Sequence, residues 1–182
     1  MYAWGGEGFG SAPSSVHLWR FTPDGRGNGS WIANREPGDG IHPATSGTSV
    51  VCAGRGFNLG GFRTGWTEQA FSNGIALPGM LIYDIESGTW ENVTAPAPYS
   101  PHKQGQAVCL PFGAQGLVSF LGGARTEFAY KNESEYPSFD NITFYDPSTK
   151  EWFWQTARGD IPEPRKRFCA VGASGTNGTY EV

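Results

Sequence analysis

The chain has 182 residues, enough for one domain, and its 27 glycines, 13 prolines and 14% aromatic residues against only 16% charged ones favour short strands joined by tight turns over long helices. A formal net charge of -4 and an isoelectric point near 5.3 supply no broad positive field for phosphate backbones or anionic lipid, so a nucleic-acid partner is not expected. No run approaches the roughly 18 to 20 apolar residues that cross a bilayer, and the N-terminus lacks a basic, apolar, small-residue leader pattern, so no membrane contact is expected from this segment.

Read along the chain, the elements repeat. Met1 to Trp4 reads as a strand that runs into the pair Gly5-Gly6; Leu18 to Asp24 carries an aromatic, Phe21, and Trp31 follows. An apolar strand from Gly47 to Ala53 opens a second unit, Phe57-Asn58-Leu59 runs into Gly60-Gly61, Met80 to Asp84 carries Tyr83, and Trp90 follows. The third unit repeats the order: Gly105 to Leu110, then Val118 to Leu121 before Gly122-Gly123, then Ile142 to Pro147 with Tyr145, then Trp152. Arg167 to Ala173 reads as the first strand of a fourth unit. Met1 lies inside one predicted strand and Tyr180-Glu181-Val182 reads as another starting, the pattern expected of a chain cut at both ends. Phe21, Tyr83 and Tyr145 are spaced by 62 and 62 residues, and Trp31, Trp90 and Trp152 by 59 and 62. Repetition of an ordered series at near-constant spacing is the signature of a repeat architecture.

Each unit reads as four antiparallel strands whose alternating side chains pack against the neighbouring units. The glycine pairs permit a positive φ or a close backbone approach, the Asp84 to Gly88 and Asp146 to Thr149 segments have hairpin-turn chemistry, and the tryptophans fill the space between sheets. The connections Phe62 to Gly79 and Ala124 to Asp140 are long for such units, and long loops on one rim are where binding concentrates.

This series resembles the kelch repeat family. The resemblance spans nearly the whole chain. Gln155 to Pro162 followed by Arg165 to Ala170, with Leu117 to Gly123 before them, looks closest to the kelch-repeat ectodomains of filamentous fungi, which implies a membrane-anchored parent. The fold expected is all-β, a partial kelch-type β-propeller of about three four-stranded antiparallel blades without ring closure. Its expected divisions are 1-34 (an incomplete blade), 47-94, 105-156, and 167-182 as the start of the next. Closure takes roughly 4 to 8 blades, so open terminal blades should leave the isolated chain marginal or prone to aggregate.

Three cysteines, Cys52, Cys109 and Cys169, follow the repeat at spacings of 57 and 60; each is expected as a small buried side chain on one strand of its blade, with a disulfide or a metal ligand as the alternatives. Five of the eight asparagines, Asn28, Asn92, Asn132, Asn141 and Asn177, stand in Asn-x-Ser/Thr sequons, where chance would place about one, so passage through a secretory pathway and an extracytoplasmic location are expected. The alternative is cytoplasmic, where an adaptor for ubiquitin ligases is disfavoured by the sequons.

The favoured function is an interaction scaffold whose rim loops meet a protein or a glycan, with Trp66, Phe71, Phe128, Tyr130 and Tyr136 as candidate contacts. The competing reading packs those aromatics onto the propeller face. The alternative function is a copper oxidase of the galactose oxidase type, which shares the kelch architecture and uses two histidines, two tyrosines and a thioether-linked cysteine; here His42 and His102 precede the first strands of consecutive units. No enzyme activity, metal or cofactor is expected. There is no Gly-x-Ser-x-Gly elbow, the acidic pairs Glu36/Asp39 and Glu133/Glu135 sit in polar loops, and Gly54-Arg55-Gly56 lacks a phosphate loop's strand-to-helix setting. The cluster Arg165-Lys166-Arg167 reads as the opening of a strand, with an arginine paired to a loop carboxylate.

Overall fold

A computed structural model describes residues 1-8, 10, 17-34, 37-38, 40-69, 74-127 and 132-182. Among them the regular structure is strand, apart from one 3-10 turn at Thr176–Gly178. The first blade holds β1 (Tyr2–Ala3), β2 (Trp19–Pro23) and β3 (Gly29–Ala33), paired in that order. The second holds β4 (Thr48–Cys52) and β5 (Arg55–Leu59), a rim hairpin of β6 (Phe62–Arg63) and β7 (Ile75–Ala76), then β8 (Met80–Asp84) and β9 (Thr89–Val93). Its four-stranded sheet runs β4-β5-β8-β9.

After β10 (His102–Lys103) the third blade repeats this plan. It uses β11 (Gln106–Leu110), β12 (Leu117–Leu121), the rim strands β13 (Ala124–Thr126) and β14 (Glu133–Glu135), then β15 (Asn141–Asp146) and β16 (Glu151–Thr156). The main sheet runs β11-β12-β15-β16, and β10-β13-β14 forms a rim sheet. A last hairpin joins β17 (Ala173–Ser174) to β18 (Tyr180–Glu181).

The repeated aromatics face each other across one strand pair in every blade. Phe21 pairs with Trp31, Tyr83 with Trp90 and Tyr145 with Trp152, at ring-centroid distances of 5.2, 4.8 and 5.0 Å. An aspartate ends the first strand of each pair or directly follows it. The Asp24 carboxylate accepts from the Arg26 and Asn28 amides, that of Asp84 from Ser87 and that of Asp146 from Ser148, which nucleates the turn into the outer strand. The core lies where blades two and three meet: Phe57, Leu59, Met80 and Ile82 from one side, Val118, Phe120 and Tyr145 from the other.

Backbone carries much of the joint between blades. The second glycine of each pair donates to a carbonyl of the next blade: Gly6 to Ala44 at 2.9 Å, Gly61 to His102 at 2.7 Å and Gly123 to Arg165 at 2.8 Å. The first glycine is pressed close: a Cβ on Gly60 would stand 2.1 Å from the His102 carbonyl oxygen. Two residues beyond each acceptor the chain turns through positive φ, at Ser46, Gln104 and Arg167. There the Gln104 amide donates to Ser46 O at 2.8 Å and the Arg167 amide to Gln104 O at 3.0 Å, a staircase that climbs one blade per step.

Three expectations need correction. Cys52 and Cys109 are not separate buried thiols but form a disulfide between blades, with Cα atoms 5.3 Å apart, because β4 and β11 pack side by side at the blade junction and bring Cys52 against Cys109, one register position out of step with the repeat, in which Val51 matches Cys109. Cys169 is exposed and free, lying two residues past Arg167, whereas Cys109 lies five past Gln104 and Cys52 six past Ser46. Arg167 to Ala173 is not a strand before Ala173: with Ala173 paired to Glu181, every residue before Gly172 would need a partner numbered beyond Val182. The long connections contain paired strands, β6-β7 and β13-β14, in place of unbroken loop, since the chain beyond each glycine pair turns out of the main sheet and pairs again on the rim.

Candidate functional site

The rim that lies beyond the glycine pairs carries the aromatics singled out by sequence. Trp66 sits on a short turn held by its neighbours, the Thr64 amide donating to Thr67 Oγ1 at 2.9 Å and the Trp66 amide to Thr64 Oγ1 at 3.1 Å. The Trp66 carbonyl accepts from the Gly8 amide of the first blade. The turn is therefore fixed at both ends while the indole stands 52% exposed, so Trp66 is not packed onto the propeller face. Phe71, Phe128 and Tyr130 lie outside the described residues, as do Glu36 and Asp39.

Tyr136, 45% exposed, belongs to a charged cluster between the third blade and the segment after it. Its hydroxyl donates to Glu133 Oε2 at 2.6 Å, and Lys166 Nζ lies 5.6 Å from its ring centre. Glu133 also takes Lys166 at 2.5 Å and Lys103 at 3.2 Å. The Lys166 hydrogen bond first, then those of Tyr136 and Lys103, hold its carboxyl down at about 2 against partial desolvation. Lys166, not an arginine, thus pairs the basic cluster to a loop carboxylate, because it occupies the place in its repeat that Lys103 occupies in the one before. Glu135 pairs with Arg125 at 3.4 Å, so neither member of that acidic pair is available to work with the other.

The histidines diverge. His42 Nδ1 lies 3.1 Å from Glu68 on the half-exposed rim. His102 is completely buried, its Nε2 donating to the Gly122 carbonyl at 2.8 Å and its ring 4.9 Å from that of Tyr99, and burial pushes its pKa down to about 4. With one nitrogen on a carbonyl and the ring wedged against Gly105 and Gly123, His102 is a neutral packing residue of the blade junction. Among the described residues no three of His, Cys, Asp and Glu are grouped to hold a metal ion.

Asn28, Asn92, Asn132, Asn141 and Asn177 all have exposed side chains. Asn132 donates to Glu127 and Asn141 accepts from Thr156. Among the described residues no helix is long and apolar enough to cross a membrane.

No protein-family model matches the chain. A curated protein described as a kelch repeat-containing protein, from Arthroderma benhamiae (strain ATCC MYA-4681 / CBS 112371), is 25% identical over 224 aligned positions. That match covers 98% of this chain and 32% of the relative, so the chain spans about a third of that protein's length. A solved structure described as the structure of YjhT is similar with a TM-score of 0.52 and 14% identity, over 78% of this chain and 44% of that one. The chain has the fold of a partial β-propeller of the kelch type. The features of the rim and junction that the sequence alone did not reveal are the pairing of Lys103 and Lys166 with Glu133, whose common place shows only once the blades are aligned by the staircase, and the Cys52–Cys109 bridge.

Proposed function

We propose that this kelch propeller is an interaction scaffold, part of a larger secreted or membrane-anchored protein, that presents its rim to a protein or glycan. The observation that carries the reading is the exposed Trp66 indole on a turn fixed at both ends, the arrangement of an aromatic anchor held ready for a partner at little cost in conformational entropy. Tyr136 extends the same rim with its ring oriented by Glu133 and Lys166. The disulfide and the five exposed sequons support the extracytoplasmic location, since disulfides persist in oxidising compartments.

Two measurements test it. Expression through a secretory pathway, with and without removal of N-linked sugars, should give a mass shift at several sequons; soluble, folded material with none occupied would overturn the location. A glycan and cell-surface-protein array probed with the chain should lose about tenfold in signal for Trp66→Ala. Signal unaffected by Trp66→Ala and Tyr136→Ala would move the contact off this rim.

A further inference from the structure

At the strand ends away from the glycine pairs, blades two and three enclose a groove of about 340 Å³. Its floor is Tyr145, a side chain only 1% exposed whose hydroxyl has no hydrogen-bond partner. The repeat shows why. In blade two the matching hydroxyl, Tyr83, accepts from Asn34 Nδ2 at 3.3 Å; Asn34 stands three residues past Trp31, and the residue three past Trp90 is Val93, which packs into the core instead. The groove therefore holds a buried, fixed hydroxyl with nothing to bond.

The walls are charged but balanced. Arg55 Nε donates to Asp84 at 3.2 Å and its Nη1 to Gln115 across the blade junction at 2.8 Å, while Lys150 pairs with Glu91 at 2.7 Å at the mouth. Two cations and two anions, each already paired, exert no net pull on an ion, and the lining is too polar for an apolar guest. The unspent donors of the Lys150 ammonium and the Arg55 guanidinium, together with carboxylate acceptors, alternate around the unpartnered phenol. Groups that both donate and accept fit such a lining.

We propose that this groove is a binding site for a neutral, hydroxyl-rich ligand, a carbohydrate, with a sugar hydroxyl bonded to Tyr145. The site does not depend on the rim proposal, from which it is separated by the length of the blade strands. The Cys52–Cys109 bridge braces it, for Cys52 ends the strand before Arg55 and its sulfur lies against Gly116, next to Gln115.

The test is saturation-transfer NMR on the full chain with glucose, galactose, mannose, N-acetylglucosamine and the anionic glucuronate, each at about 10 mM. At least one neutral sugar should show transfer that falls about fivefold or more in Tyr145→Phe and weakens on reduction of the disulfide. Tyr145→Phe removes only an unbonded hydroxyl, so its thermal midpoint should hold or rise, and loss of binding in that variant is not loss of fold. No transfer from any neutral sugar, transfer that survives Tyr145→Phe, or a preference for glucuronate each overturns the proposal, and transfer abolished by Trp66→Ala alone places sugar binding on the rim.

Discussion

The joint between blades two and three and the joint between blades one and two share their backbone clasp and an aromatic contact, yet only the first closes into a continuous core. In both, a glycine amide reaches the next blade's carbonyl, and the residue three before the glycine pair meets the next blade's tyrosine, Phe57 to Tyr145 at 6.2 Å and Tyr2 to Tyr83 at 5.9 Å. The closed joint adds two inner strands packed side by side, a disulfide, and the Trp152 indole donating to Thr94 O at 3.1 Å. At the open joint, no described residue supplies a counterpart of β4 or β11 in blade one, and a cleft of about 440 Å³ remains against Val50 and Val51 with the Trp4 indole N–H unpaired. Glycine clasps set where blades sit, whereas inner-strand contact determines whether the space between them is filled.

The largest effect is expected from filling a clasp. Gly60 has φ +63° and its Cβ would stand 2.1 Å from a backbone oxygen, so Gly60→Val should cost more than about 5 kcal/mol and abolish soluble folded protein. Gly6, at φ +91° with no atom within 4 Å of its Cβ position, should lose only about 1 kcal/mol as alanine. Gly5→Ala sharpens the contrast. Its Cβ would stand 2.2 Å from the Ala44 oxygen, and a urea midpoint nearer to that of Gly6→Ala than of Gly60→Ala would mean that the open joint yields where the closed one cannot.

Next comes the bridge that only the closed joint possesses. Closing a 57-residue loop, it should be worth about 4 kcal/mol by the chain-entropy account. The guanidinium midpoint of the oxidised chain should therefore lie well above that of the reduced chain or of Cys52→Ser/Cys109→Ser. Equal midpoints would show that inner-strand packing alone holds the joint.

What was legible in the sequence divides along the same line. The glycine pairs, the aromatic-Asp strands and the tryptophans were readable because side-chain identity repeats there, and the cross-strand partners Tyr83/Trp90 and Tyr145/Trp152 follow from it. The staircase was not, because Ser46, Gln104 and Arg167 share a backbone conformation but no side-chain chemistry. The disulfide was visible only as a spacing; turning it into a bond requires knowing that consecutive inner strands touch and that their contact is offset by one residue from the repeat. The rim strands β6, β7 and β13 are two or three residues long, too short for an alternating pattern to register. Of the rim contacts, Trp66 and Tyr136 were found by being aromatic in a long connection, while the groove at Tyr145 depends on Val93 standing where Asn34 stands one blade earlier, a difference that needs the structural alignment to see.

A smaller effect probes the closed joint through His102. Its folded pKa, about 4, lies below the ordinary 6.5, so the unfolded chain binds the extra proton first as pH falls. The stability present above pH 6.5 should decline on acidification toward pH 4, by about 2 kcal/mol at pH 5. His102→Gln keeps a donor for the Gly122 carbonyl and should flatten that decline; a slope that persists in the variant would assign it to another group.

The smallest effect belongs to the joint after blade three, which has the clasp and a staircase step but a cleft of about 680 Å³ in place of a full core. Here Lys166 and Glu133 tie the segment to the rim. Glu133 titrates at about 2 against an ordinary 4.5, so its contribution is complete above pH 4.5 and fades as pH falls toward 2. A rim pair of this kind, partly covered but still reached by solvent, is worth about 1 kcal/mol or less, too little to move the global midpoint clearly. The readout is therefore local: Lys166→Met and Glu133→Gln should speed amide exchange at Gly123 and Arg167, whose amides donate across the joint to Arg165 O and Gln104 O, while leaving Gly61 and Gln104 protected. Equal acceleration at Gly61 would mean that the two joints open together, and the division between a closed and an open junction would then describe packing without describing stability.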